Sequence, residues 1–130
     1  MLSIIKEKVG QMTWNNIIIT RGDGITLTLP ILLNTNGTIT EYTPAGTDVF
    51  ALQVRKGQVT KNTPTPELLF QGSLSVVSDK LTWAISSADT TQDCGEYYWD
   101  CQITQSGKPP FTFYSGRFII IPEETIPTTP

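Results

Sequence analysis

Residues 80–105, KLTWAISSADTTQDCGEYYWDCQITQ, hold the pattern that decides the fold. Two stretches in which apolar and polar side chains alternate, 80–86 and 96–105, flank a short run rich in Ser, Thr and Asp. A period of two places the apolar residues on one face of an extended chain, so each stretch predicts a half-buried β-strand. The run between them predicts one helical turn, with Ser86 or Ser87 as its N-cap.

Similar patterns extend in both directions from this pair of strands. Short stretches rich in Thr, Val and Ile are separated by turns with Gly, Pro and Asn about every ten residues, which is typical of a sandwich or barrel. We predict an all-β antiparallel sandwich of about seven strands, with the helical turn in the crossover before the sixth strand. The predicted core comprises Leu27, Leu29, Phe50, Leu52, Val54, Leu81, Trp83, Ile85, Tyr97, Trp99, Ile103 and Phe118.

The composition narrows the classes of function. The chain has 130 residues, 16% of them charged, a net charge of −3 and no histidine. A basic patch is typical of nucleic-acid binders, so the acidic balance argues against that partner. Histidine is the commonest general base and metal ligand, so we expect no enzyme, no catalytic residue, no metal and no cofactor. No apolar run approaches the ~18 residues of a membrane span, so we expect no membrane partner.

We predict three segments along the chain: an N-terminal arm over residues 1–16, the sandwich over 17–121 and a flexible, proline-rich tail over 122–130. Apolar side chains recur in the arm at a spacing near four, and they form a candidate interface: Ile4, Ile5, Val9, Met12 and Trp14. Two interpretations are open. The segment is either a terminal strand or helix that packs on its own domain, or an arm that docks on a neighbouring subunit.

The cysteines and the N-terminus indicate where the chain folds. Cys94 and Cys101 would lie about 20 Å apart along an extended strand, whereas a disulfide needs Cα atoms within about 7 Å. We therefore expect two free thiols and folding in a reducing cytoplasm. The apolar start of the chain precedes Lys6 and Lys8, the reverse of the order in a secretory signal, so we expect no export.

A corner motif, Asp93-x-Gly95-x-Tyr97, precedes the strand over residues 96–105. In immunoglobulin-like sandwiches a tyrosine at this corner donates its hydroxyl to upstream backbone, and a glycine permits a tight crossover. Antibody-type domains have a cysteine two residues after the tyrosine, whereas this chain has Trp99. We therefore predict a structural corner without the disulfide.

Residues 17–121 resemble the small immunoglobulin-like domain of bacteriophage and prophage baseplate and tail proteins, such as the N-terminal domain of baseplate upper proteins. The similar stretches are FALQVRK (50–56), LTWAISSADT (81–90), GEYYWDCQI (95–103) and YSGRFII (114–120) with its Gly-x-Phe motif. The resemblance implies a non-enzymatic virion structural protein that assembles in the bacterial host cytoplasm. It also implies contacts with itself and other virion proteins, as a homo-oligomer.

A second class of function stays open, namely a ligand-binding module that recognises carbohydrate or a cell surface. Four aromatic residues could provide a stacking platform, although they suit pairing on a sheet face equally well: Tyr42, Tyr98, Phe113 and Tyr114.

Two weaker motifs are interpreted as structural. The integrin-type tripeptide Arg21-Gly22-Asp23 has the composition of an ordinary turn. The acidic residues near the crossover do not match the spacing of a calcium loop and are interpreted as solvated side chains: Asp89, Asp93, Glu96 and Asp100.

Overall fold

The computed structural model describes residues 2–9, 12–35, 37–58 and 60–123, and the protein is an all-β sandwich. Most of the predicted tail, residues 124–130, lies outside this range. The elements in chain order are β1 (Leu2–Val9), β2 (Met12–Thr20), β3 (Ile25–Pro30), β4 (Leu32–Thr35), β5 (Thr38–Glu41), β6 (Val49–Arg55), β7 (Leu68–Gln71), β8 (Ser73–Val77), β9 (Lys80–Ile85), α1 (Ser87–Thr90), β10 (Gly95–Thr104) and β11 (Phe111–Ile121).

The strands form a six-stranded sheet in the order β1-β2-β11-β10-β6-β7, a three-stranded sheet in the order β3-β9-β8, and the separate hairpin β4-β5. All described strand pairs are antiparallel except β2 and β11, which run parallel. Because β2 pairs with β11, the N-terminal and C-terminal strands are neighbours in one sheet. The six-stranded and three-stranded sheets pack on either side of the core.

Local alternation predicts several strand boundaries well. The predicted strands 80–86 and 96–105 correspond to β9 and β10, whose ends differ from the prediction by one residue. The number of strands is higher than the predicted seven or so, since the described residues contain eleven. The additional strands include β1 and β4, each of which forms a hairpin with the next strand in the chain, because backbone pairing between neighbouring segments makes a strand without a clear alternation of side chains.

The predicted helical turn is confirmed as α1, between β9 and β10. Ser86 is its N-cap, and Ser86 Oγ accepts a hydrogen bond from the Asp89 N–H at 3.1 Å. The Asp89 carboxylate accepts from the Ser86 N–H at 3.0 Å, which completes a capping box. These two bonds satisfy backbone donors that such a short helix cannot pair internally.

A row of aromatic rings runs through the core. Ring centroids lie 5.6 Å apart for Phe70 and Phe118, 5.8 Å for Phe118 and Trp83, 5.4 Å for Trp83 and Trp99, and 6.0 Å for Trp99 and Tyr114. Ten of the predicted core side chains are buried, while Phe50 and Tyr97 are partly buried against them. The core also contains apolar residues outside that predicted set, namely Ile17, Ile19, Ile31, Cys101, Phe113, Tyr114 and Ile120.

A β-bulge explains why two consecutive residues of β11 are both in the core. Cys101 pairs with Tyr114 and Gln102 pairs with Thr112, so Phe113 is one extra residue in β11. The bulge interrupts the period of two, and Phe113 and Tyr114 are each only 1% exposed. Strict alternation along the sequence would place one of them outside.

Gly72 is the point at which the chain leaves one sheet and enters the other. Its N–H donates to the Leu52 carbonyl at 2.8 Å, which continues the pairing of β7 with β6, and β8 then pairs with β9. A Cβ at position 72 would lie 2.8 Å from Leu52 Cδ2, 3.1 Å from Leu52 Cβ and 3.2 Å from Trp83 Nε1. The crossing therefore depends on the absence of a side chain at this position.

We expect Gly72→Ala to lower the free energy of unfolding by about 1–3 kcal/mol, because the added methyl group overpacks a filled core. Gly46→Ala is the matched control, since a Cβ there meets no atom within 4 Å. It should change stability by less than about 1 kcal/mol. Urea unfolding of both variants measures the difference, and equal stabilities would contradict the proposed close packing at Gly72.

Candidate functional site

Three connections meet at one end of the sandwich, which we call the loop end. They are residues 42–48 before β6, the Ser78-Asp79 turn between β8 and β9, and residues 105–110 between β10 and β11. The strand register places the first and third together, because Thr104 pairs with Val49 and Ile103 pairs with Phe111, and Asp79 of the turn lines the same groove as residues 44–46 and 48. The opposite end carries α1 and the Asp93–Tyr97 corner.

A groove of about 280 Å³ opens at the loop end. Its walls combine an apolar surface with two carboxylates, and its lining residues are Pro44, Ala45, Gly46, Asp48, Phe50, Val76 and Asp79. Val76 lies on β8, in the sheet that covers one side of the core. Its side chain is nevertheless 48% exposed, because the sandwich is open at this end. The groove therefore presents apolar and anionic groups side by side.

Asp48 holds the wall of the groove formed by residues 42–48. Its Oδ2 accepts hydrogen bonds from the Tyr42 hydroxyl at 2.6 Å and from the Ala45 N–H at 2.8 Å. The Asp48 N–H donates in turn to the Ala45 carbonyl at 3.1 Å. These bonds fix the carboxylate in place, so it contributes a positioned negative charge rather than a mobile one.

The second carboxylate, Asp79, lies on a tight turn. Ser78 and Asp79 have φ values of 51° and 65°, and Val77 pairs with Lys80 across them. Positive φ at both central residues is the geometry of a two-residue hairpin turn that matches the twist of the strands. Asp is among the few side chains that tolerate this conformation. Lys80, the next residue, pairs with Glu41 at 2.9 Å.

Burial removes half of the predicted aromatic platform. Phe113 and Tyr114 are in the core, and the Tyr114 hydroxyl donates to the Pro30 carbonyl. Burial raises the pKa of Tyr114 well above its ordinary value. These two rings therefore do not form an exposed stacking surface. The bulge turns Phe113 inward, whereas Tyr114 shares the inward face of β11 with Gly116 and Phe118. Tyr42 is at the groove, and Tyr98 is half-buried on the outer face of the six-stranded sheet.

The Asp93–Tyr97 corner closes the opposite end of the sandwich. The Tyr97 hydroxyl donates to the Asp93 carbonyl at 2.5 Å, which is the contact that a tyrosine corner makes with upstream backbone. Burial is the main cause that raises the pKa of Tyr97, and the Asp93 carboxylate adds to it. Gly95, between them, has φ of 157°. Asp93, Gly95 and Tyr97 therefore all belong to the same turn of the chain.

The integrin-type tripeptide lies at the same end of the sandwich as the Asp93–Tyr97 corner. Arg21 Nε donates to the Gln92 carbonyl at 2.8 Å, and the Arg21 N–H donates to the Ile121 carbonyl at 2.8 Å. The Gly22 carbonyl accepts from Ser87 Oγ at 2.7 Å. The tripeptide therefore ties β2 to α1 and β11.

The acidic residues near the crossover have separate structural partners. Asp89 caps α1, and Glu96 pairs with Arg117 at 3.1 Å. Within the described ranges, no three Cys, Asp or Glu side chains are grouped so that they could hold a metal ion.

Asp100 lies on the outer face of the six-stranded sheet, half-buried between Gln53 and Ser115 on the neighbouring strands. Burial raises the pKa of its carboxyl, and the charge of Arg55 opposes that shift. Arg55 itself donates to the Pro66 carbonyl at 2.6 Å and to Gln53 Oε1 at 2.5 Å. Ionisation of Asp100 at neutral pH therefore lowers the free energy of unfolding.

Both cysteines are free, as predicted, with Cys94 exposed and Cys101 buried. Burial is the main cause that raises the pKa of Cys101 to about 12, and Asp100 adds to it. Its thiol is protonated at neutral pH and serves as a small apolar core side chain.

The residues of the predicted interface arm lie on the β1-β2 hairpin. Ile4, Ile5 and Val9 belong to β1, whereas Met12 and Trp14 belong to β2, and their side chains are outside the described part of the structure. The hairpin extends the six-stranded sheet, because β2 pairs with β11 and β1 lies beyond β2.

No protein-family model matches the chain, and no curated protein is significantly similar to it. Across the described residues, no helix has the length and apolar character needed to cross a membrane.

We expect Asp100→Asn to raise the free energy of unfolding at pH 7. A folded-state pKa above the unfolded one means that this residue favours folding most in acid, and that its contribution falls as the pH rises through the folded-state pKa. The advantage of the variant should therefore disappear below pH about 4. Urea unfolding at both pH values measures it, and a gain that is unchanged in acid would contradict the burial argument.

Tyr97→Phe should cost about 1 kcal/mol of unfolding free energy, because it leaves the Asp93 carbonyl without its donor. Tyr98→Phe removes the hydroxyl of the adjacent tyrosine, whose side chain points to the other face of β10. This variant should change the free energy of unfolding little. Thermal and urea unfolding of the two variants test the comparison. Similar losses in both would show that the corner bond does not stabilise the fold.

Proposed function

We propose that this chain is a structural protein of a bacteriophage or prophage virion, in the tail or baseplate or as an accessory module. It acts through contacts with itself and other virion proteins and not as an enzyme. The resemblance of residues 17–121 to baseplate and tail domains supports the virion setting. The observation that carries the assembly role is the position of β1 at the edge of the six-stranded sheet.

The arrangement of the sheets supports an immunoglobulin-like interpretation of the fold. The strands β11, β10, β6 and β7 face β3, β9 and β8, in the manner of the two sheets of a variable-type immunoglobulin domain. The Tyr97 bond to Asp93 supports it further. In such domains the connections at one end of the sandwich are free to make contacts, and the corner end is structural.

The sheet edge supplies the means of assembly. β1 has eight residues and pairs with β2 on one side only, and no described strand pairs with its outer edge. A row of unpaired backbone donors and acceptors is a template for a strand from another chain. At the other edge, β7 has only four residues before the chain crosses to the second sheet. We therefore assign self-association to β1, in an isologous pairing of two copies.

The alternative function, recognition of carbohydrate or a cell surface, has less support. It relied on four aromatic rings, and Phe113 and Tyr114 are in the core. Assembly needs no such platform.

We expect the full chain to form a dimer whose fraction rises with concentration, and the Lys6→Pro variant to be monomeric, because a proline within β1 cannot donate to a strand ladder and blocks pairing at this edge. Light scattering after size-exclusion chromatography measures the mass, and circular dichroism checks that the variant keeps its β-structure. A chain that lacks residues 124–130 is the control and should associate as the full chain does.

A full chain that remains monomeric at high concentration would contradict self-association through β1. The virion assignment is tested separately by mass spectrometry of purified particles from a host that carries the gene. Absence of the chain from particles that contain the other tail proteins would rule it out.

A further inference from the structure

Exposed apolar side chains concentrate at the loop end of the sandwich. The large apolar residues that are most exposed at this end are Val49 at 62%, Val77 at 56%, Val76 at 48% and Phe111 at 37%. Val49 and Phe111 begin β6 and β11, and Val76 and Val77 end β8. Val76 pairs with the buried Leu81 and lines the groove, whereas Val49 and Val77 pair with Thr104 and Lys80 and lie on the outer faces of their sheets. An exposed apolar side chain beside a groove is typical of a surface that contacts another molecule.

The groove at this end is anionic as well as apolar. Asp48 and Asp79 both line it, and among the described residues neither carboxylate forms an ion pair. Asp48 uses Oδ2 for both of its hydrogen bonds, and in the described structure its Oδ1 accepts none. The nearby ammonium group of Lys80 is held by Glu41. The groove therefore has negative charge that a bound group could neutralise.

A group that fits this groove has a cationic head and an apolar or flat body. The guanidinium group of arginine has five N–H donors in a plane, and it is weakly hydrated, so it can contact carboxylates at its edge and an aromatic face such as that of Phe50. A metal ion is a poorer match, since it needs several oxygen ligands and no group of three acidic side chains lies here among the described residues.

We propose that this groove binds an arginine side chain presented by a partner protein. Phe50, Val76 and Pro44 contact its aliphatic and planar parts, and Asp48 and Asp79 pair with its charge. The site is remote from β1, so this inference does not depend on self-association through the sheet edge. The groove adds a second interface, which recognises a side chain, to the interface at β1, which uses backbone hydrogen bonds.

Titration of the full-length, ¹⁵N-labelled chain with the peptide acetyl-Gly-Arg-Gly-amide tests the proposal. The matched probe is the same peptide with citrulline, which keeps the shape of arginine and loses its charge. We expect saturable shifts of amide resonances confined to residues 44–50 and 76–80. The citrulline peptide should bind at least about fivefold more weakly at low salt.

Asp79→Asn is the test variant, because Asn also tolerates the positive φ of this turn and the fold should be kept. It should weaken binding of the arginine peptide about fivefold and reduce the preference over citrulline. Glu67→Gln is the control, since it removes an exposed carboxylate at the opposite end of the sandwich, where Glu67 pairs with Lys56. It should leave the affinity for both peptides unchanged.

Several results would overturn the proposal. They are equal affinity for the arginine and citrulline peptides, shifts outside the groove, no saturable shift at all, or an unchanged affinity in Asp79→Asn. Titration with CaCl₂ alone distinguishes a metal site, because calcium would then produce the same shifts and compete with the arginine peptide. None of these results bears on the oligomer mass, so failure of this inference is separable from failure of the assembly role.

Discussion

The contact of Trp83 with the opposite sheet is the interaction on which the rest of the structure depends. Trp83 projects from the three-stranded sheet, and its ring meets those of Trp99 and Phe118 on the six-stranded sheet at 5.4 and 5.8 Å. It is fully buried. Aromatic rings bury a large apolar area, so this contact joins the two layers and sets how closely they approach. The glycine at position 72 belongs to the same constraint, because it leaves the space that the two layers fill.

The same packing gives the two ends of the sandwich different roles. At the corner end, α1, Arg21 and Tyr97 direct their hydrogen bonds to backbone, and the chain is tied to itself. At the loop end the row of rings continues from Tyr114 through Phe113 to Phe50, which is only partly buried, and the groove begins there. The polar contacts at the loop end, those of Asp48 and Lys80, hold the walls and leave the groove itself open.

Assembly through this protein would use two kinds of recognition. A sheet edge offers backbone hydrogen bonds, which fix orientation but discriminate little between sequences. A groove with positioned carboxylates selects for charge and shape. A module that combines both can associate with other copies through β1 and bind a partner protein selectively through Asp48 and Asp79. The residues that line the groove lie on strand ends and turns, and the core holds them in position.

The sequence by itself determined the all-β class of fold, the strands β9 and β10 to within one residue, the helical turn between them and most of the buried face. Each of these follows from side chains within a few residues of one another, because alternation, caps and turns are local properties. Only the tertiary structure decided the crossing at Gly72, the bulge that buries Phe113, the pairing of β1 with β2 as a sheet edge, and the groove that Asp48 and Asp79 both line. These features depend on which strands pair and in what register, and the paired segments are far apart in the chain. The local sequence around a residue does not specify which strand will lie beside it.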